Sequence, residues 1–235
     1  LGDPSCRVPT CDRRWIKTLP PVVLDRWPVA EGAGSGALTT IGHWRSYGST
    51  EHDGVRYGQR AHSLRRFFEL PRRVRAPLEL ALGIHPDETE DLVALRSNGW
   101  RLVDPEQVAG TPEAYAAYVA GSSGELGIAK SGYVDSRSGW FSDRSACYLA
   151  SGRPVVAQAT GFEEALPVGE GLLAFATTEE AAAAIEAVGA RPQLHRRRAR
   201  EIAEEHLDAR AVLSRLLVEL ASSQASPPPG AGRAA

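Results

Sequence analysis

A chain of 235 residues is long enough for one large domain, or for one domain with part of another. Hydrophobic residues at 43% and charged residues at 24% describe an ordinary globular protein, and a net charge of −2 gives no reason to expect nucleic acid as a partner. Three cysteines, an odd number, imply no disulfide framework and fit a reducing cytoplasm, and no apolar run approaches the ~18 residues that a bilayer span needs.

The chain has no methionine and opens Leu-Gly-Asp-Pro, so it is expected to be a piece of a longer protein. Lys17 and Lys130 are its two lysines against many arginines. That bias fits a GC-rich bacterial genome, so no single arginine carries much weight by its presence alone.

Residues 1–30 are proline-rich, with one short strand at 21–24 (P-V-V-L), and read as the remnant of a preceding domain. E-G-A-G-S-G at 31–36 has the composition of a flexible linker. Strand and helix patterns then alternate. A strand at 37–41 leads into a polar loop at 42–59, and a helix at 62–70 ends at Pro71. A strand at 78–84, a helix at 87–98 with Gly99 as its stop, and a short strand at 101–104 follow. Thr111-Pro112 marks an N-cap and first helical residue for a helix at 112–120.

The next strand is 124–129, and 154–157 and 172–176 are short apolar runs of the buried-strand kind. Thr178-Glu-Glu caps an alanine-rich helix to Val188. A helix after Pro192 buries Ala199, Ile202, Ala203 and Leu207 at three-four spacing, and its H-R-R-R-A-R start reads as a solvated face. Asp208 caps a last helix on which Val212, Leu213, Leu216, Leu217 and Leu220 share one side. The segment 221–235 (S-P-P-P-G at its centre) is expected to be disordered. Alternating strands and helices imply a doubly wound α/β domain with a parallel sheet over about 37–220. Ligands of such sheets lie beyond the carboxyl ends of the strands, which lines up 42–59, 132–143 and 160–171 along one rim.

The run S-G-W-F-S-D-R-S-A-C-Y-L-A-S-G-R-P-V-V at 138–156 is the most informative. Ser142 is placed to cap a helix that Gly152 stops. Its side chain satisfies one amide of the first turn, and the others, with the helix dipole, favour an anion. Ser145 lies in that turn, and Arg144 adds a charge-assisted donor to phosphate. Asp143 would repel a phosphate, and fits a ligand hydroxyl or a second cap. A plain structural cap remains the alternative for Ser142.

The same run, with T-G-F at 160–162 and L-P-V-G-E-G-L-L-A-F at 166–175, resembles the carboxy-terminal half of bacterial glycosyltransferases of GT-B architecture, the glycosyltransferase family 1-like group. W-I-K-T-L-P-P-V-V-L-D-R-W at 15–27, Y-G-Q-R at 57–60 and the final H-x-x-x-A-R-x-I-A-E-E-H-L at 195–207 support the resemblance, which reaches to about Leu217. It implies a Rossmann-like domain that clamps a nucleotide-sugar, with the acceptor and a missing amino-terminal domain of the same protein as further partners. It implies that the helix at 142 presents its amides to the donor diphosphate, with Arg45 and Arg60 from the first loop beside it. The sequence departs from the retaining branch of such enzymes, where two glutamates flank this helix; Ser142, Asp143 and Cys147 stand there instead.

Lys130, at the end of a strand, and Gly161, Glu163 and Glu164, after the next, are candidates for the sugar or nucleoside. Each has a bland alternative as a solvated rim residue or surface turn. Cys6 and Cys11 have no second pair near them, the six histidines show no chelating spacing, and neither a P-loop nor G-x-G-x-x-G occurs, so no metal or cofactor is expected. The reading is the donor-binding half of a glycosyltransferase. Its alternatives are a non-catalytic nucleotide-binding or assembly module of that fold, or an epimerase-like protein.

Overall fold

The computed structural model describes residues 5–46 and 48–224. In chain order the elements are β1 (Leu38–His43), β2 (Thr50–His52), β3 (Val55–Tyr57), α1 (Arg60–Leu64), β4 (Leu78–Gly83), α2 (Thr89–Ser97), β5 (Arg101–Leu102), α3 (Pro105–Ala109), α4 (Pro112–Gly121) and β6 (Gly124–Gly127). They continue with α5 (Ser131–Asp135), α6 (Asp143–Ala150), β7 (Val155–Gln158), β8 (Leu172–Phe175), α7 (Thr178–Ala190), α8 (Pro192–Ile202) and α9 (Ala209–Gln224).

Six strands pair in the order β5-β4-β1-β6-β7-β8, every neighbour parallel. From β1 the chain steps outward to β4 and β5, then returns to the other side of β1 with β6. This is the expected doubly wound sheet, and its switch point lies at the carboxyl ends of β1 and β6. The apolar runs are explained by burial on both faces. Val156 of β7 joins Leu80, Leu126 and Phe175 in one core, while its neighbours Val155 and Ala157 join Ile41, Ala81 and Leu172 in the other.

The polar loop at 42–59 contains more order than its composition suggests. β2 and β3 form an antiparallel hairpin closed by Asp53-Gly54, with φ of 49° and 70°. Asp-Gly supplies the two left-handed residues that such a tight turn needs. The helix expected at 62–70 is cut short: α1 gives way to 3-10 turns at Arg65–Phe67 and Leu70–Arg73, the second carrying Pro71. Thr177, not Thr178, caps α7, in a capping box with Glu180.

Arginines correct one further expectation and divide another. The run 31–36 is held down along its length. The buried Arg153 guanidinium donates to the carbonyls of Glu31 at 3.1 Å, Gly32 at 3.1 Å and Ala120 at 3.0 Å. Arg196 donates to Ala30 and Gly32, and Arg200 to Trp27 at 2.9 Å and Ala150 at 2.7 Å. A Cβ on Gly34 would stand 2.4 Å from the Ser122 carbonyl, so the chain there passes where only glycine fits. The start of α8 is therefore divided: Arg196 and Arg200 form a clasp, while Arg197, its side chain 64% exposed, and Arg198 pair with Glu201 on the expected solvated face. His195, just before them, is fully buried, accepting from the Gly171 amide at 3.1 Å.

The strand expected at 21–24 is one parallel bridge, Val22 to Asp208, with Val22 buried. Ala199, Ile202, Ala203 and Leu207 are buried as their spacing requires. On α9, Val212 is buried but Leu213, Leu217 and Leu220 are 46%, 66% and 43% exposed. The helix continues through 221–224; the rest of the segment expected to be disordered, 225–235, lies outside the described residues.

Candidate functional site

In a parallel sheet each crossover helix runs antiparallel to its strands, so α1 and α6 both begin at the rim beyond β1 and β6. Several local devices fix these beginnings. At α1, Gln59 and His62 form a reciprocal cap, the Gln59 amide donating to His62 Nδ1 at 2.9 Å. Gln59 also accepts from the Ser46 amide at 3.0 Å, which ties the first loop to the helix. Arg60, the first residue of α1, is thereby turned inward and is 5% exposed. Its Nη1 donates to the Ile128 carbonyl at 2.7 Å, just past the end of β6. Gly42 leaves the space it occupies, since a Cβ there would meet Arg60 Nη2 at 3.3 Å.

At α6 the Ser142 side chain accepts from the Arg144 amide at 3.2 Å, as the cap pattern predicted. The Ala146 amide donates to the Ser142 carbonyl at 3.1 Å. The amides of Asp143 and Ser145 have no partner among the described residues. The turn before the helix is stapled to the loop after β7: the Gly139 amide donates to the Thr160 carbonyl at 2.8 Å, and the Thr160 hydroxyl to the Trp140 carbonyl at 2.6 Å. Phe141 and Phe162 pack below it with ring centres 5.2 Å apart.

Arg60, Glu125, Gly127, Trp140, Ser142, Arg144, Ser145 and Gln158 are among the residues that wall a small hollow at this rim, about 10 Å³ in volume. Burial, then the positive charge of Arg144, pushes Arg60 down to about 10, which leaves it charged at neutral pH. Burial pushes the Glu125 carboxyl up, against the opposing pull of Ser145, Arg144 and Arg60. Two guanidinium groups, two unpaired amides and one buried carboxyl thus share one edge. Such an edge favours an oxyanion at the helix start and a neutral polar group deeper in.

The sequence-derived candidates divide. Arg60, Ser142, Arg144 and Ser145 come together at the hollow. Arg45 does not line it; its guanidinium engages Glu88, with Nη2 to Oε2 at 3.2 Å. Asp143 points to solvent with its side chain 82% exposed, 3.9 Å from Arg144. The Lys130 ammonium lies 5.8 Å from the Tyr133 ring centre, and Tyr133 stacks on Trp140 at 4.9 Å, so Lys130 borders the site through two rings.

Gly161 has φ of 101°, and a Cβ there would stand 3.3 Å from the Arg137 carbonyl. Glu163 accepts from the Gly161 amide at 3.0 Å, and Glu164 from Arg137 at 2.7 Å. This trio holds the turn against the α6 loop, and the glutamates do not line the hollow. Glu125, Gln158 and Trp140 were missed. An acid inside the otherwise apolar G-E-L-G-I-A, and an amide closing V-V-A-Q, were the available signals. Among the described residues no three His, Cys, Asp or Glu side chains are grouped to hold a metal, and no helix is long and apolar enough to cross a membrane.

No family model and no curated protein matches this chain. Solved structures do. Sucrose-phosphate synthase from Thermosynechococcus elongatus is 15% identical with a TM-score of 0.56, over 87% of this chain and 52% of that one. The Anabaena protein HepE, in complex with UDP-glucose, is 14% identical with a TM-score of 0.56, over 86% and 56%. A glycosyltransferase from Rickettsia africae is 12% identical with a TM-score of 0.57, over 88% and 57%. The chain spans about half the length of each. At these identities the likeness is one of fold: a doubly wound domain common to one half of each of these proteins.

Proposed function

We propose that this chain is the donor-binding half of a glycosyltransferase that moves a sugar from a nucleotide-sugar to an acceptor hydroxyl. The observation that carries this reading is the edge of α6, where the unpaired amides of Asp143 and Ser145 stand beside Arg144 and the buried Arg60. A diphosphate oxygen seated there accepts from both amides, and the guanidinium charge offsets the charge that grows on the nucleotide as the glycosidic bond breaks. The donor role also agrees with the fold likeness to proteins that include a glycosyltransferase and one crystallised with UDP-glucose. Arg45 and Lys130 remain outer contacts in this proposal, able to meet the donor only by leaving Glu88 and the Tyr133 ring.

The test is titration calorimetry of this chain with UDP-glucose, UDP-N-acetylglucosamine, GDP-mannose and ADP-glucose. Saturable binding of at least one, weakened by rising salt as an ion-paired diphosphate requires, is the expected result. Absence of binding to all four sinks the reading.

A further inference from the structure

Among the described residues, five buried side-chain polar atoms lack a hydrogen-bond partner: Arg60 Nε, Tyr115 Oη, Glu125 Oε2, Gln158 Nε2 and His195 Nε2. Three of the five, from Arg60, Glu125 and Gln158, belong to residues on the wall of the one hollow at the rim. The three residues are 5%, 4% and 2% exposed. Leaving a buried polar atom unmade costs about 1–3 kcal/mol, so native proteins leave few, and three around one space mark a space that something polar fills.

What fills it is limited by size and by hydrogen-bond sense. A volume of about 10 Å³ admits roughly one water-sized group. That excludes a phosphate, whose place is outside, at the amides of Asp143 and Ser145. Two of the atoms, Arg60 Nε and Gln158 Nε2, are donors. Glu125 Oε2 is an acceptor when the carboxyl is ionised. With the Glu125 carboxylate ionised, the occupant must both accept and donate. A hydroxyl does both; a phosphate or carboxylate oxygen only accepts, and an ammonium only donates.

Two of the three residues are also held in place by a second side-chain bond. Arg60 is fixed by the Ile128 carbonyl at 2.7 Å, and Gln158 Oε1 accepts from the Ala129 amide at 3.3 Å. Glu125 sits on β6 in register with Thr39 of β1 and Val155 of β7. Groups so anchored have few other partners to turn to. An occupant that lacks its hydroxyl leaves them bare, which is how a buried polar site discriminates.

We propose that this hollow is a hydroxyl-recognition subsite for the donor sugar, with Glu125 accepting the hydroxyl hydrogen and Gln158 and Arg60 donating to its oxygen. The inference rests on the nucleotide-sugar reading and adds the specificity-determining residues Glu125 and Gln158 to it. A water takes the same place when no sugar is bound.

The experiment compares each nucleotide-sugar that binds with its bare nucleoside diphosphate, on wild type, Glu125→Gln and Gln158→Leu. The expected result is that both variants weaken the sugar conjugate at least ten times more than the diphosphate. Equal weakening of the two ligands, or no weakening of either, overturns the subsite and leaves the hollow to a fixed water. A second measurement needs no variant. Deoxy analogues of the sugar are titrated into wild type, and removal of one particular hydroxyl is expected to weaken binding tenfold or more, while uniform affinity across the series overturns the proposal. Absence of all nucleotide binding overturns both this inference and the reading beneath it. A diphosphate that binds while the sugar contributes nothing overturns the inference alone.

Discussion

Two buried arginines, 93 residues apart in the chain, show how differently the same side chain is used in two regions. Arg153 lies where the 27–36 segment meets α4 and α8, and its guanidinium spreads over three carbonyl groups. Arg60 lies at the rim, holds one carbonyl, and leaves its Nε without a partner. Both are cut off from water. The first has its donors matched by protein and behaves as a structural bolt. The second keeps donor capacity in reserve, which the proposed donor site would use. In an arginine-rich chain, the balance of donors against partners separates the two roles where residue type cannot.

The largest effect that would break this comparison concerns Arg153. Arg153→Leu strips three carbonyls of their donor and is expected to cost about 3 kcal/mol, roughly 6–12 °C in Tm by thermal unfolding, while the folded variant still binds nucleotide. Arg60→Ala is expected to do the reverse. Nucleotide affinity falls about 10–100-fold by calorimetry, and Tm moves far less than for Arg153→Leu, because an incompletely partnered buried charge is removed. Should Tm collapse and affinity persist, the two roles have been exchanged.

A third arginine sharpens the contrast through pH. Arg65 pairs with the Asp91 carboxylate, Nε to Oδ1 at 2.9 Å and Nη2 to Oδ2 at 2.7 Å, and Trp44 Nε1 donates to it at 3.1 Å. The hydrogen bonds from Arg65 lead in holding Asp91 below its ordinary 3.8, so the folded protein binds fewer protons there than the unfolded chain does. The pair's contribution is therefore complete above that ordinary value and is lost as pH falls through the depressed one. Asp91→Asn is expected to lower stability by about 1 kcal/mol at pH 7 and to narrow its difference from wild type at pH 3, read by denaturant unfolding at the two pH values.

Much of the fold was legible because it is written in local patterns. Short apolar runs between turn signals, such as V-V-A at 155–157, suit a strand covered on both faces, and Thr111-Pro112 and Ser142 announce helix starts by local capping chemistry and backbone preference. The α6 edge was legible for the same reason. What escaped depends on residues distant in the chain. Glu31 to Gly36 reads as a free linker until Arg153 and Arg196, more than a hundred positions away, are folded onto it. Glu125 reads as a stray acid in a strand until α1 and α6 place the charges of Arg60 and Arg144 around the same hollow. Arg45 illustrates the opposite error: its loop reaches the rim, but Glu88 from the start of the next helix takes up its charge. Asp53-Gly54 is itself a local signal, and it closes a hairpin inside the polar loop at 42–59.

The seam between the 139–140 turn and Thr160 has a kinetic consequence. Two hydrogen bonds weld the approach to α6 onto the loop beyond β7, so the surface proposed to receive a phosphate is held by the protein's own bonds. Capture at this edge should then proceed in a single fast phase limited by collision and charge, with any slower step belonging to motion elsewhere in the protein.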